Sequence, residues 1–281
     1  YLRKEVVTVK STHIKGNTYV LDLGMMLLPY YKLDHQKIIL LDAGLKERHL
    51  EKLERFLSEN QYHVEGILCT HGHVDHIGNV NYFKEKYQCE VALPEEEYFV
   101  IGSLDQLELF FSPTPRDQVY SQYGHMIFKP DVLIKKNHEM ITFCGVDFKV
   151  IHTPGHSIHH VGFITPDDVS YLGDALLSPE VMAQAKLPYS YNLLKDLTSK
   201  MSLYHVEASY HVLAHKGVYA DIKDLITDNI YFYKNRGEYV LNHLETPLSF
   251  EQLFTTVMED LSIQIKTSEK YRVLERILKG Y

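Results

Sequence analysis

Thr70-His71-Gly72-His73-Val74-Asp75-His76-Ile77-Gly78 is the stretch on which the reading of this chain turns. Four side chains of metal-ligand type, His71, His73, Asp75 and His76, fall within six positions. They follow Gly66-Ile67-Leu68-Cys69, a short apolar run that reads as a buried strand. Alternate side chains of an extended segment point the same way, so His71 and His73 can converge on one ion. A turn at Val74 would redirect Asp75 and His76 to a second point nearby, and glycines at 72 and 78 let the backbone bend sharply. Packing this run without a cation would leave polar groups unpaired, at roughly 1–3 kcal/mol each.

The run supplies at most four ligands, so the others must come from elsewhere in the chain. Three later segments each end an apolar run with a ligand residue. They are Thr153-Pro154-Gly155-His156-Ser157, Tyr171-Leu172-Gly173-Asp174, and Leu213-Ala214-His215-Lys216-Gly217. A site at one edge of a sheet needs its ligands at strand ends in this way.

The surrounding pattern is β-rich at first. Val6–Val9, Tyr19–Leu23, Ile38–Leu41 and Glu90–Leu93 read as strands, and Leu45–Asn60 and Asn79–Tyr87 as helices. Residues 95–130 interrupt the rhythm with a helix-like run that breaks at Ser112-Pro113-Thr114-Pro115. This reads as an insertion covering one side of the site. Strands return at Met140–Phe143, Asp147–Ile151, His160–Ile164, Val169–Leu172 and His211–Ala214, with a helix over Leu193–Val206. Beyond residue 220 only helical spacing remains, and Ser249-Phe250-Glu251-Gln252 has the form of a capping box.

Together, the HxHxDH run at 71–76, TPGHS at 153–157, GDA at 173–175 and AHKG at 214–217 resemble the metallo-β-lactamase-fold hydrolases, including the glyoxalase II-like branch. Asn17-Thr18-Tyr19-Val20 and Leu40-Leu41-Asp42-Ala43-Gly44 are similar to the first strands of that family, and the resemblance covers residues 5–220. It implies an α/β fold, a four-layer αβ/βα sandwich of two mixed sheets flanked by helices. It also implies a catalytic unit at 1–220 followed by a helical extension at 221–281. His71, His73 and His156 would hold a first metal; Asp75, His76 and His215 a second; Asp174 would bridge them. Two such ions about 3.5–4 Å apart would share a water, lower its pKa and deliver a bridging hydroxide to the substrate. With imidazole and carboxylate donors and no Cys, zinc is the expected ion, with iron or manganese as the alternatives.

Among the neighbours, the resemblance implies a supporting role for His160, grouped with Asp75, Asp174 and Tyr191 as catalytic candidates. Tyr189 and Tyr191 are candidates to stabilise a developing oxyanion. Asp42 is read either as a support for the ligands or as a turn residue, Lys216 as a solvated cation, and Phe110-Phe111 with Tyr123 as an apolar lid. No role is assigned to His159. Residues 221–281 are similar to a small winged-helix-like appendage of one branch; the alternative is a lid or a dimerisation element, giving a homodimer.

Composition restricts the function class. The 281 residues are 45% hydrophobic and 23% charged, which supports a large core. The net charge of −8 weighs against a general nucleic-acid partner, although a local basic patch is compatible with it. No stretch of 18 apolar residues occurs, so no transmembrane helix is expected. Tyr1–Lys10 lacks a signal-peptide core, and Cys69, Cys89 and Cys144 lack CxxC spacing, so a cytoplasmic protein with reduced thiols is expected. The expectation is a binuclear metallo-hydrolase of a small ester, thioester or lactone. The alternatives are a nuclease or phosphodiesterase, which needs a positive channel, and a mono-iron persulfide dioxygenase, against which the full ligand set argues.

Overall fold

The segment Ile38-Ile39-Leu40-Leu41 shows how the layers arise. Ile38 and Leu40 enter one apolar cluster with Leu53, Phe56, Leu57 and Phe83. Ile39 and Leu41 enter another with Phe148, Phe163 and Tyr171. A strand apolar on both faces must be covered on both. Each fully buried aliphatic or aromatic side chain of this kind stabilises the fold by roughly 1.5–3 kcal/mol.

The computed structural model describes residues 9–281, apart from the side chain of Glu269. The first sheet has seven strands in chain order: β1 (Lys10–Lys15), β2 (Thr18–Asp22), β3 (Leu27–Lys32), β4 (Lys37–Leu41), β5 (His63–Leu68), β6 (Glu90–Pro94) and β7 (Val132–Ile134). It is antiparallel from β1 to β4 and parallel from β4 to β7. The second sheet contains β8 (Met140–Phe143), β9 (Val146–His152), β10 (Val161–Ile164), β11 (Val169–Tyr171), β12 (Tyr210–Val212) and β13 (Val218–Tyr219). Only β11 and β12 run parallel there. Both sheets are mixed, as expected.

Helices α1 (Lys46–Glu59), α2 (Val74–Ile77) and α3 (Val80–Tyr87) accompany the first sheet. The insertion forms α4 (Glu95–Ile101), α5 (Leu104–Phe110) and α6 (Arg116–Tyr123). The helix-like run read there is thus borne out, with its break at Ser112–Pro115. The second sheet is backed by α7 (Pro179–Gln184), α8 (Leu193–Ser202) and α9 (Lys223–Asn242), through Leu172, Leu176, Leu203, Leu213 and Ile226. With the two clusters above, this makes the four layers: helices, sheet, sheet, helices.

The chain ends in α10 (Phe250–Asp260) and α11 (Ser268–Gly280), which pack through Leu253, Phe254, Val257, Leu274 and Leu278. The capping box is present: Ser249 Oγ accepts from Gln252 N at 3.2 Å, and Gln252 Oε1 accepts from Ser249 N at 2.8 Å. No strand forms among residues 221–281, so the extension is helical without the wing of the likened module. Among the described residues no helix is long and apolar enough to cross a membrane. Of the expected strand Val6–Val9, residues 6–8 lie outside the described residues, and the first strand begins at Lys10.

Candidate metal centre

The nonapeptide lies where β5 ends against both sheets. His71 Nε2 stands 2.9 Å from His73 Nδ1, and His156 Nε2 stands 3.1 Å from the same atom. Asp174 Oδ2 is 3.3 Å from His156 Nε2 and 4.0 Å from His71 Nε2. On the other side His76 Nε2 lies 3.4 Å from Asp174 Oδ2 and 3.8 Å from Asp75 Oδ2. His215 Nε2 is 3.3 Å from Asp75 Oδ2 and 3.4 Å from Asp174 Oδ1. All seven residues singled out in the sequence therefore meet, as two groups of four that share Asp174.

These distances fit metal ions. Nitrogens about 2.0–2.1 Å from a tetrahedral ion stand about 3.3 Å apart. Buried His76 Nε2 and Asp174 Oδ1 have no hydrogen-bond partner among the described residues, an arrangement that a shared cation would satisfy. The outer nitrogens of His71, His76 and His215 are already fixed, which turns their lone pairs inward. His76 Nδ1 donates to Asp42 Oδ2 at 2.7 Å, and His215 Nδ1 donates to the Met25 carbonyl at 3.3 Å. Thr70 Oγ1 donates to Asp42 Oδ2 at 2.9 Å and accepts from His71 Nδ1 at 2.9 Å.

Asp42 is thus the support behind both groups. It is fully buried, accepts additionally from Thr70 N and Tyr171 Oη at 2.7 Å each, and has a left-handed backbone with φ of 67°. Aspartate tolerates that conformation better than most residues. His160, read as a support and grouped with the catalytic candidates, is fully buried behind the ligands. Its Nε2 accepts from Asp174 N at 3.0 Å and its Nδ1 donates to Thr153 Oγ1 at 2.7 Å. Gly173 leaves room for that ring: its φ is 50°, and a Cβ there would stand 2.7 Å from His160 Nε2.

Electrostatics divide the two groups. Burial holds His73 down to about 3 and pushes His71 well below the ordinary imidazole range. Asp174 drives His215 up to about 10. Burial opposes a charge on His76, but Asp174, Asp42 and Asp75 outweigh it and raise that imidazole. Asp75 is raised by burial but pulled lower overall by His76 and His215.

Glu97 was missed. In sequence it is one of three acidic residues opening α4, which signals only a helix start. In the structure it is 3% exposed and joins two ligand loops. Its Oε2 accepts from Gly72 N at 3.0 Å, and its Oε1 from Ser157 Oγ at 2.6 Å and His159 N at 2.7 Å. His159, given no role, is buried; its Nδ1 pairs with Glu96, and its Nε2 lies 3.3 Å from His152 Nδ1.

A cavity of about 330 Å³ opens over both groups. His73, Asp75, His156 and Asp174 floor it, and Val100, Ile101, Leu107, Phe110, Phe111 and Met126 wall it. The expected apolar lid is therefore in place, with Phe111 stacked on Tyr123 at 4.0 Å between ring centroids. From α11 comes Arg276, its guanidinium 4.1 Å from the centroid of Phe110 and 4.7 Å from that of Phe111. The tyrosine facing the centre is Tyr189, with its ring 5.0 Å from His73 and 5.3 Å from His156. Tyr191, the catalytic candidate, is 46% exposed and lines a neighbouring hollow, because only its backbone turns inward: its N–H donates to the His156 carbonyl at 3.2 Å. Lys216 lies 3.4 Å from Glu180 at the surface, as read.

Comparison with known proteins agrees with this geometry. The chain is 28% identical over 145 residues to hydroxyacylglutathione hydrolase GloC of Haemophilus influenzae, covering 51% of this chain and 63% of that one. It is 26% identical over 175 residues to hydroxyacylglutathione hydrolase 1 of Vibrio vulnificus, covering 61% and 58%. In both comparisons the match spans less than two thirds of the relative's length. A metallo-beta-lactamase family protein from Thermus thermophilus has the same fold, with a TM-score of 0.67 at 22% identity over 96% of this chain and 90% of that one. A Beta-lactamase domain protein from Burkholderia ambifaria gives 0.67 at 16% over 100% and 90%. The Metallo-beta-lactamase superfamily profile matches residues 30–204, and with the paired His/Asp groups at the sheet edge this places the chain in that superfamily.

Proposed function

We propose that the chain is a binuclear metallo-hydrolase acting on a small ester, thioester or lactone with an apolar body and an acidic group. One observation carries this reading: two four-residue groups sharing Asp174 lie at the floor of a small apolar cavity. Zinc is the proposed ion. Two such ions, when bound, would activate water and polarise the substrate carbonyl.

The chain's own residues would do the rest. Asp174 reaches both groups, with Oδ2 toward His156 and His76 and Oδ1 toward His215, and His160 holds its backbone. Val100, Ile101, Phe110 and Phe111 exclude bulk water and receive the apolar body. Burial pushes the Tyr189 hydroxyl up to about 12, so it stays protonated and able to donate to a substrate oxygen. Arg276 is the single Lys or Arg lining the cavity among the described residues, and it suits a carboxylate. No thiol competes as nucleophile: burial raises Cys89 to about 11 and Cys144 to about 12, and Cys69 is fully enclosed.

One lining cation does not make the channel a nuclease requires. The hydroxyacylglutathione hydrolase relatives favour thioesters among the three substrate classes. We assign residues 1–220 to the catalytic unit and 221–281 to a helical extension that completes the cavity wall. A turnover screen of ester, thioester, lactone and phosphodiester substrates, on protein of measured metal content, tests the proposal. Turnover of phosphodiesters alone would overturn it, and so would one iron per chain with persulfide oxidation.

A further inference from the structure

We propose that Glu97 is a positioning residue for the metal centre, a carboxylate that clamps the loop of His71 and His73 to the loop of His156. The inference rests on the two-ion reading above. Gly72 sits between His71 and His73, while Ser157 and His159 follow His156. Glu97 takes one donor from the first loop and two from the second, at 3.0, 2.6 and 2.7 Å. The partners lie 25, 60 and 62 residues away along the chain, so this joint exists only in the folded state.

Both carboxylate oxygens are used, which fixes the loops relative to each other as well as to α4. Gly72 shows how close the approach is: a Cβ there would stand 3.1 Å from Glu97 Oε2 and 3.4 Å from Ile101. The neighbouring Glu96 holds the second loop from outside, pairing with the His159 ring and with Lys136 at 2.6 Å. An amide cannot replace the acid, because its NH2 would confront either the Gly72 N–H or the two donors of the second loop. The donors left unpaired are buried, so the loops would shift to find new partners. The first group, whose His73 Nδ1 stands within 3.1 Å of two other imidazole nitrogens, would lose its spacing. The second group is held by Asp42 and the Met25 carbonyl, and Glu97 bonds to neither.

The test uses the full chain, zinc-loaded and cobalt-substituted, as wild type, E97Q and S157A. Metal dissociation constants come from chelator competition, and ligand geometry from the visible cobalt bands. In E97Q one of two dissociation constants should rise about 10–100-fold while the other stays within about threefold, with altered cobalt bands. S157A, which removes one of the three donors, should move the same constant less. Two unchanged constants and unchanged bands in E97Q, whatever its melting temperature, would overturn the inference. If E97Q does not fold, unchanged values in S157A do so. A wild-type chain that binds no metal would instead overturn the two-ion reading itself.

Discussion

The two halves of the metal centre are built differently. His71, His73 and His156 form a group of three imidazoles, two of them buried, with one shared carboxylate. Asp75, His76 and His215 place two imidazoles between two carboxylates, and Asp75 and His215 are partly open to solvent. In the first group burial depresses His71 and His73; in the second carboxylates raise His76 and His215. The first ion would be held by rigid geometry, the second by charge in competition with protons.

The largest effect should come from the residue both halves share. Asp174→Ala removes the bridge, so both ions should leave and hydrolysis should fall to background, read by metal analysis and turnover. Single-group changes then separate the halves. His215→Ala should release one ion and, above about pH 10, leave the melting temperature of the metal-free chain nearly unchanged, because the charge with which His215 pairs to Asp75 and Asp174 is lost there. His71→Ala should release the other ion and also lower that temperature, because its side chain is fully enclosed. Equal thermal effects in the two variants would remove the distinction.

Acidity offers a second way to break it. The His215 imidazole is raised to about 10, above its ordinary value near 6.5. In the metal-free chain its stabilising contribution is full below about 6.5 and is lost as pH rises through about 10. An ion must displace that proton and the one on His76, so affinity at the second group should fall by at least about tenfold per pH unit on acidification. His73, depressed to about 3, and His71, held well below the ordinary range, have no proton to lose near neutrality, so the first group should show the shallower profile. Titrations at pH 8 and pH 6 check this, and two parallel slopes would contradict it.

Smaller effects sharpen the account. Asp42→Asn should weaken metal binding by about 10–100-fold, since it disturbs the hydrogen bonds behind His76 and Thr70. Arg276→Met should lower kcat/KM for acidic substrates by about tenfold or more, the worth of one charged hydrogen bond of about 1.5–3 kcal/mol. Neutral analogues should lose less; an equal loss would remove Arg276 from anion recognition.

The sequence made most strands and the candidate metal residues legible because strand periodicity and strand-end ligands are local signals, while the sandwich followed from the family resemblance. His71 and His73 alternate on one segment, and His156, Asp174 and His215 each follow an apolar run. β3 was not read, because Pro29 argues against a strand. In the structure Pro29 lies beyond the part of β3 that pairs with β4, so its missing N–H leaves no gap on that side. Glu97 was hidden for the opposite reason. Its partners are far along the chain, and nothing in Glu95-Glu96-Glu97 marks the last residue as the buried one. Tyr189 and Tyr191 are two residues apart in a loop without regular period, so sequence could not tell which ring faces the histidines.

The most direct test is anomalous diffraction from crystals of the zinc-loaded chain, with metal content measured on the same protein. The account predicts two zinc peaks about 3.5–4 Å apart with Asp174 between them. A single peak on His71, His73 and His156, with Asp75 and His215 free of metal in fully loaded and active protein, would contradict it.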